Sequence, residues 1–187
     1  INRYSGAPQS DDLARLATDT VLANKTTGFS RWQVKVTLYR KAGTKKSPAL
    51  RSVSVAAANY TTKTAATSAP LRNTERALPV PAYSQMTHKG HFPQWGGGGE
   101  AWCSPTSMAM LLDYYGKGPK PADLTWTHAG NGQVDYAARH TYDFAYRGTG
   151  NWSFNAAYAG ARGLDAYVTR LADLRAAEKL IDAGTPL

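Results

Sequence analysis

The stretch from Gln94 to Gly116, QWGGGGEAWCSPTSMAMLLDYYG, places the only cysteine of the chain, Cys103, at the start of a predicted helix. Ser104 suits an N-cap and Pro105 suits the first helical position, while Gly116 suits the end of the helix. Between these ends, apolar residues recur at helical spacing, namely Met108, Leu111, Leu112 and Tyr115. The pattern therefore predicts a helix that begins beside the thiol.

A helix start of this kind favours a reactive sulfur. Unpaired backbone N–H groups and the positive end of the helix dipole stabilise a thiolate relative to a thiol. Four glycines, Gly96 to Gly99, precede the cysteine and allow the backbone to pass close to a substrate, because they carry no Cβ. A single cysteine is also often a small buried hydrophobe. The residues themselves leave a nucleophilic role and a packing role open.

The chain of 187 residues has a net charge of +9, and this charge is unevenly distributed. Residues 1–78 hold 13 Lys and Arg against 4 Asp and Glu, whereas residues 79–187 hold 9 of each. The basic first segment predicts an anionic partner such as a cell-surface polymer, with a merely solvated face as the alternative. No nucleic-acid motif accompanies these residues. No apolar run approaches the roughly 20 residues of a membrane span, so we expect neither specific nucleic-acid binding nor a membrane span.

The patterning predicts two domains joined by a linker. In residues 1–60, alternating apolar side chains at 32–39 and 50–55 predict strands, whereas residues 11–23 predict a short helix or irregular lead-in. Residues 61–77 are rich in Ala, Thr and Ser and predict a linker. Residues 78–187 form the second domain, with packed loops and short helices predicted over 117–163 and a strand over 164–170. A further helix is predicted between Asp173 as N-cap and Gly184.

Four segments of the second domain, taken in order, resemble the C39-like branch of the papain-like cysteine peptidases. They are LPVPAYSQ, AWCSPTSMAMLL, VDYAARHTYDFAYRGTGNW and AAEKLIDAGTPL. The alternating segments WQVKVTLYR and LRSVSV resemble the β-sandwich that precedes the peptidase domain in secreted bacterial members. The resemblance implies an α+β fold, in which a papain-like peptidase domain, incomplete at its C-terminal end, follows a β-rich, sandwich-like segment. It also implies a secreted, extracellular protein.

The resemblance further implies a thiol-dependent hydrolase of peptide or related amide bonds that needs no cofactor. Cys103 would attack the carbonyl carbon, and a histidine oriented by an Asp or Asn would carry the proton. Gln85 would donate to the oxyanion together with the backbone N–H of the cysteine, with Gln94 as the second candidate. The family's His and its Asp or Asn partner would follow beyond Leu187.

Two other interpretations stay open. The first is a non-catalytic surface- or polyanion-binding protein in which the peptidase-like fold is a scaffold. The second uses His88, His91 and Cys103 as metal ligands, although no further paired ligand completes a standard zinc set, so we expect no metal site. None of the four histidines of the chain matches the catalytic base of the family: His88, His91, His128 and His140.

Overall fold

The computed structural model describes residues 10–25, 28–59, 67–128 and 130–187. Within these residues the strands are β1 (Ala14–Leu16) and β2 (Val21–Ala23), and the α-helices are α1 (Cys103–Tyr114), α2 (Gly132–Thr141), α3 (Trp152–Ala161) and α4 (Leu174–Asp182). Short 3₁₀ turns lie at Gln85–His88, Pro93–Trp95, Gly99–Trp102 and Pro121–Leu124. The four helices and the small antiparallel sheet are compatible with the predicted α+β class. The longest helix, α1, has 12 residues, and no helix of the described part is long and apolar enough to cross a bilayer.

The hydrophobic core lies between α1, α2 and α3, which pack against one another. Buried alanines bring the helix axes close together, with Ala109 on α1, Ala137 and Ala138 on α2, and Ala159 on α3. Larger buried side chains fill the remaining space, namely Trp102, Leu112, Val134 and Tyr158. Burying each large apolar side chain stabilises the fold by roughly 1.5–3 kcal/mol. This three-helix core supports the start of α1.

Helix α1 begins at Cys103, so the prediction of Ser104 as its N-cap was wrong. The N-cap is Trp102, whose φ of −114° and ψ of 27° are not helical. The preceding 3₁₀ turn already coils the chain, and the helix therefore begins two residues earlier than predicted. Pro105 lies in the first turn, where its missing N–H breaks no helical hydrogen bond. Gly116, with a φ of 62°, follows the helix end as predicted.

The N-terminal region contains a hairpin where the sequence predicts a short helix or irregular lead-in. Strands β1 and β2 pair antiparallel, with Ala14 opposite Ala23. The carboxylate of Asp11 accepts hydrogen bonds from the backbone N–H groups of Leu13 and Ala14, both at 2.8 Å. Such local bonds from an aspartate favour a turn as readily as a helix start. The turn leads into β1.

The strands predicted at 32–39 and 50–55 do not form within the described residues, where β1 and β2 make the one sheet. Their apolar side chains remain about half exposed, including Trp32 at 66%, Val36 at 45% and Val53 at 50%. Alternating side chains stabilise a strand only when neighbouring strands and a covering layer are present. The expected β-rich, sandwich-like segment is therefore reduced to one hairpin in this structure.

Helix α4 forms where the sequence predicts it, whereas the strand predicted over 164–170 does not. The side chain of Asp173 caps the helix by accepting a hydrogen bond from the N–H of Ala176 at 2.8 Å. Gly184 follows the helix with a φ of 80°. Tyr114 of α1 donates from its hydroxyl to the carbonyl of Gly184 at 3.0 Å. This bond connects the end of α4 to the three-helix core.

Part of the predicted linker lies against α4. The backbone N–H of Leu71 donates to the carboxylate of Glu178 at 2.9 Å, and Arg72 forms an ion pair with Asp182. These contacts attach residues 71 and 72 to the helix surface. The division of the chain at residues 61–77 stays a prediction.

Candidate active site

The glycine loop ahead of α1 depends on backbone angles that other residues rarely adopt. Gly96, Gly97, Gly98 and Gly99 have φ values of 99°, 77°, 66° and 57°. Such positive values cost little for glycine but disfavour residues with a Cβ. Gly98 is the most constrained, because it is buried and a Cβ there would overlap the carbonyl group of His88. The loop therefore packs directly on the 3₁₀ turn at Gln85–His88.

Two hydrogen bonds hold the backbone just before the cysteine. Trp102 is fully buried, and its indole Nε1 donates to the carbonyl of Trp95 at 2.8 Å. The carbonyl of Ala101 accepts a hydrogen bond from the hydroxyl of Thr149 at 2.9 Å. Cys103 itself is exposed. The structure thus presents the sulfur at the surface from a fixed backbone position, which suits attack on a substrate better than a packing role.

The first turn of α1 carries backbone donors beside Cys103. The helix start has no side-chain cap, and it continues the 3₁₀ turn at Gly99–Trp102. The helix dipole adds positive potential at this end of α1. Because Pro105 has no N–H, the first donors of the helix are the backbone N–H groups of Cys103 and Ser104. A backbone N–H in this position can stabilise the oxyanion of a tetrahedral intermediate.

The two candidate glutamines lie in different surroundings. Gln85 is partly buried and begins the 3₁₀ turn that packs against the Gly99–Trp102 turn, directly ahead of Cys103. Ser84 caps that turn, since its side chain accepts a hydrogen bond from the N–H of Met86 at 3.3 Å. Gln94 is exposed in the middle of the Pro93–Trp95 turn. The packing therefore favours Gln85 over Gln94 as the candidate oxyanion donor, because the turn that carries Gln85 contacts the turn that precedes Cys103.

Tyr83 attaches the segment carrying Gln85 to α1. Its hydroxyl donates to Oδ2 of Asp113 at 2.5 Å. Burial first, and then the neighbouring Asp113 carboxylate, raise the pKa of Tyr83 to about 12. The hydroxyl therefore keeps its proton and its hydrogen bond throughout the neutral range. This tether fixes the chain two residues before Gln85.

No histidine ring forms a hydrogen bond with the Cys103 sulfur among the residues that the structure describes. His140 stacks on Tyr136 with ring centroids 4.1 Å apart, and burial is the main cause that lowers its pKa. His128 stacks on His91 at 4.2 Å. The described residues therefore place none of these rings as a base in contact with the thiol.

His88 and His91 converge instead on Asp135, which the sequence interpretation missed. Both Nδ1 atoms lie 3.0 Å from the same Asp135 oxygen, Oδ1. The alternative set of His88, His91 and Cys103 is thus wrong in its third member, since the group of possible ligands contains Asp135 and not Cys103. A usable signal existed in the sequence. Asp135 sits between Val134 and the alanines of an apolar helix face, and a buried carboxylate needs a partner.

Two known families match the chain. Residues 1–58 match the Peptidase C39 N-terminal domain, and residues 77–187 match the Peptidase C39 like family. No curated protein and no solved structure shows significant similarity to the chain. The second match covers more than half of the residues and confirms the resemblance inferred from the four sequence segments. With its exposed cysteine at the start of α1, the chain belongs to the Peptidase C39 like family.

Proposed function

We propose that the protein is a cysteine peptidase that hydrolyses peptide or related amide bonds with Cys103 as its nucleophile. The observation that carries this proposal is the exposed Cys103 at the first residue of α1, directly after the buried and hydrogen-bonded Trp102. Family membership supports a peptidase-type hydrolase that acts on peptides or proteins. A papain-like arrangement of the whole domain, and secretion from a bacterial cell, are parts of the proposal that rest on resemblance.

The proposed reaction begins with attack of the Cys103 thiolate on the carbonyl carbon of the substrate. The carbonyl oxygen then carries a negative charge, which the backbone N–H of Cys103 and the side-chain amide of Gln85 stabilise. Collapse of this intermediate breaks the C–N bond, and the amine leaves after it gains a proton. Water then attacks the thioester, which releases the acid and regenerates the thiol. The glycine loop leaves room for the substrate beside the sulfur.

Proton transfer in this reaction needs a base near the sulfur. The resemblance to the family supports a histidine, oriented by an Asp or Asn, as this base. The two halves of the proposal are therefore tested separately. Nucleophilicity of Cys103 is measured on the 187-residue chain, and hydrolysis is measured on the full-length protein.

The first experiment follows alkylation by iodoacetamide. We expect the folded chain to react faster than the same chain in denaturant, because folding presents the exposed sulfur at the N-terminus of a helix. In the full-length protein, Cys103→Ala should lower peptide hydrolysis by at least about 10³-fold. Ser153→Ala is the control, since Ser153 is an exposed small residue on α3. Hydrolysis that survives Cys103→Ala, or alkylation no faster than in denaturant, would contradict the proposal.

The non-catalytic alternative remains an outcome of these measurements. A full-length protein without hydrolytic activity, whose thiol reacts at the denatured rate, would favour a binding protein. Binding of a polyanion by the basic first segment stays a prediction. Such binding should weaken as salt concentration rises, because exposed charges are screened.

A further inference from the structure

Three potential ligand atoms converge beneath the glycine loop. Nδ1 of His88 and Nδ1 of His91 each lie 3.0 Å from Oδ1 of Asp135, and the two nitrogens lie 3.3 Å from each other. The side chains of His88 and Asp135 are fully buried, and that of His91 is 17% exposed. Nε2 of His88 has no hydrogen-bond partner among the described residues. The polar contacts of this ring are therefore all made through Nδ1.

These separations match the first coordination sphere of a small divalent ion. Tetrahedral ligands about 2.0 Å from a metal lie about 3.3 Å from one another. An ion about 2.05 Å from all three observed atoms would subtend two angles of about 94° and one of about 107°, which lie between the octahedral and the tetrahedral values. Two imidazoles and one carboxylate are also a ligand set that zinc accepts. Both the spacing and the chemistry of the ligands suit such an ion.

Hydrogen bonding explains the same geometry less well. Both rings would have to donate an N–H to one oxygen, at an N–O–N angle of about 67°, whereas the acceptor directions of a carboxylate oxygen are about 120° apart. The second oxygen, Oδ2, accepts neither of these two hydrogen bonds, because it accepts one from the backbone N–H of His128 at 2.9 Å. That bond orients Asp135 so that Oδ1 alone faces the two rings. Such outer contacts commonly position the ligands of a metal.

We propose that His88, His91 and Asp135 bind a divalent transition-metal ion, with Zn²⁺ the best match. A fourth position would be taken by water or another small ligand. The ion would join the turn at Gln85–His88 to α2, and it would thereby hold the glycine loop that packs on the His88 carbonyl. The Cys103 thiol is not part of this group of ligand atoms, and the proposed peptidase reaction needs no step at the ion. It departs from the sequence-based expectation of no metal site.

The test titrates Co²⁺ into the 187-residue chain carrying Cys103→Ser, which removes the thiol as an adventitious ligand. After treatment with a chelator, we expect one Co²⁺ per chain with visible d–d absorption typical of a low coordination number, and displacement by Zn²⁺. Elemental analysis of the protein as purified distinguishes zinc from iron, which also binds two histidines and a carboxylate. Binding well below one equivalent would overturn the proposal.

Variants locate the binding. His91→Ala is the main variant, because its partly exposed ring is the least structural of the three. Both His91→Ala and Asp135→Asn should weaken Co²⁺ binding by more than about 100-fold, whereas His140→Ala, at a histidine outside the cluster, should not. Zn²⁺ should raise the Tm of the Cys103→Ser chain but not that of the chain also carrying His91→Ala. If Asp135→Asn fails to fold, His91→Ala alone tests the proposal. Unchanged Co²⁺ binding in His91→Ala would overturn it.

Discussion

The indole Nε1 of Trp102 donates to the backbone carbonyl of Trp95 across 2.8 Å, and this bond closes the glycine loop just before Cys103. The two residues flank Gly96 to Gly99, where the backbone takes positive φ values throughout. A loop with so many unusual angles needs fixed ends to adopt one conformation. The bond between Trp102 and Trp95 supplies such a constraint at both ends of the loop.

Replacing Trp102 by Phe should test the contribution of this bond. The variant removes the indole N–H that bonds the Trp95 carbonyl, together with part of the fully buried ring, so the loss includes packing as well as the hydrogen bond. We expect the free energy of unfolding to fall by about 1–3 kcal/mol, measured by urea denaturation. Trp152→Phe is the control, because Trp152 is 61% exposed on α3. Equal losses for the two variants would show that the hydrogen bond is not the cause.

A methyl group at Gly98 should be far more damaging than one at Gly97. Gly98 combines a φ of 66° and a ψ of −155°, a region almost restricted to glycine, with overlap between a new Cβ and the His88 carbonyl. At Gly97, φ is 77° and nothing lies within 4 Å of a new Cβ. We expect Gly98→Ala to lower the free energy of unfolding by more than about 2 kcal/mol and Gly97→Ala by about 1 kcal/mol. Thermal unfolding measures both, and similar Tm values would contradict the packing described here.

Tyr83 should make stability depend on pH in the alkaline range. The pKa of Tyr83 is raised to about 12 in the folded chain, whereas an unfolded tyrosine has a pKa of about 10. Between these values the unfolded chain loses a proton that the folded chain retains, so stability falls as pH rises. Tyr83→Phe should remove this part of the pH dependence. Urea denaturation at several pH values from 9 to 11 measures the difference between the slopes.

The same variant should also lose stability at neutral pH. Without the Tyr83 hydroxyl, the carboxylate of Asp113 loses a hydrogen bond of 2.5 Å, and the expected cost is about 1–3 kcal/mol. Tyr115→Phe is the control, because Tyr115 is 40% exposed. Two results would contradict the role of the Tyr83–Asp113 hydrogen bond. One is an unchanged slope of the free energy of unfolding against alkaline pH in Tyr83→Phe, and the other is a loss of stability at neutral pH no larger than that of Tyr115→Phe.

Gln85→Ala should separate oxyanion stabilisation from thiol reactivity. If the Gln85 amide donates to the oxyanion, kcat of the full-length protein should fall by about 10²–10³-fold. Alkylation of Cys103 should change little, because iodoacetamide reacts without forming an oxyanion. Gln94→Ala is the matched control, as an exposed glutamine of the neighbouring turn. A larger loss in Gln94→Ala than in Gln85→Ala would reverse the assignment.

The helices were predictable where their ends carry local signals. Asp173 and Gly184 bracket α4 in the sequence, and both act at its ends in the structure. The start of α1 was predicted two residues too late because Ser104 resembles an N-cap, whereas the 3₁₀ turn that ends at Trp102 leads directly into the helix. The strands expected over 32–39 could not be judged from alternation, since pairing depends on distant residues. Local sequence patterns therefore predict where helices end better than they predict which strands pair.

The candidate site was predictable only in part, for a related reason. Cys103 is distinguished by its own neighbours, a glycine loop before it and a helix after it. The position of Asp135 on an apolar helix face indicated a buried carboxylate that needs a partner, but it did not indicate which residues that partner would be. His88 and His91, which contact Asp135, lie more than 40 residues earlier. The short spacing of the two histidines suggested a pair, and only the folded chain shows that Asp135 joins it. Folding brings α2, and with it Asp135, into contact with the two histidines.

Asn59 and Ser68 form hydrogen bonds with Arg170 and Arg175, which lie just before and at the start of α4. The carbonyl of Asn59 accepts a hydrogen bond from Arg170 at 3.1 Å, and the hydroxyl of Ser68 accepts one from the N–H of Arg175 at 3.1 Å. Both bonds attach residues that precede the second domain to the approach and the first turn of α4. Replacing Arg170 by Ala would remove the first bond and leave the second, because the second is made by the backbone N–H of Arg175.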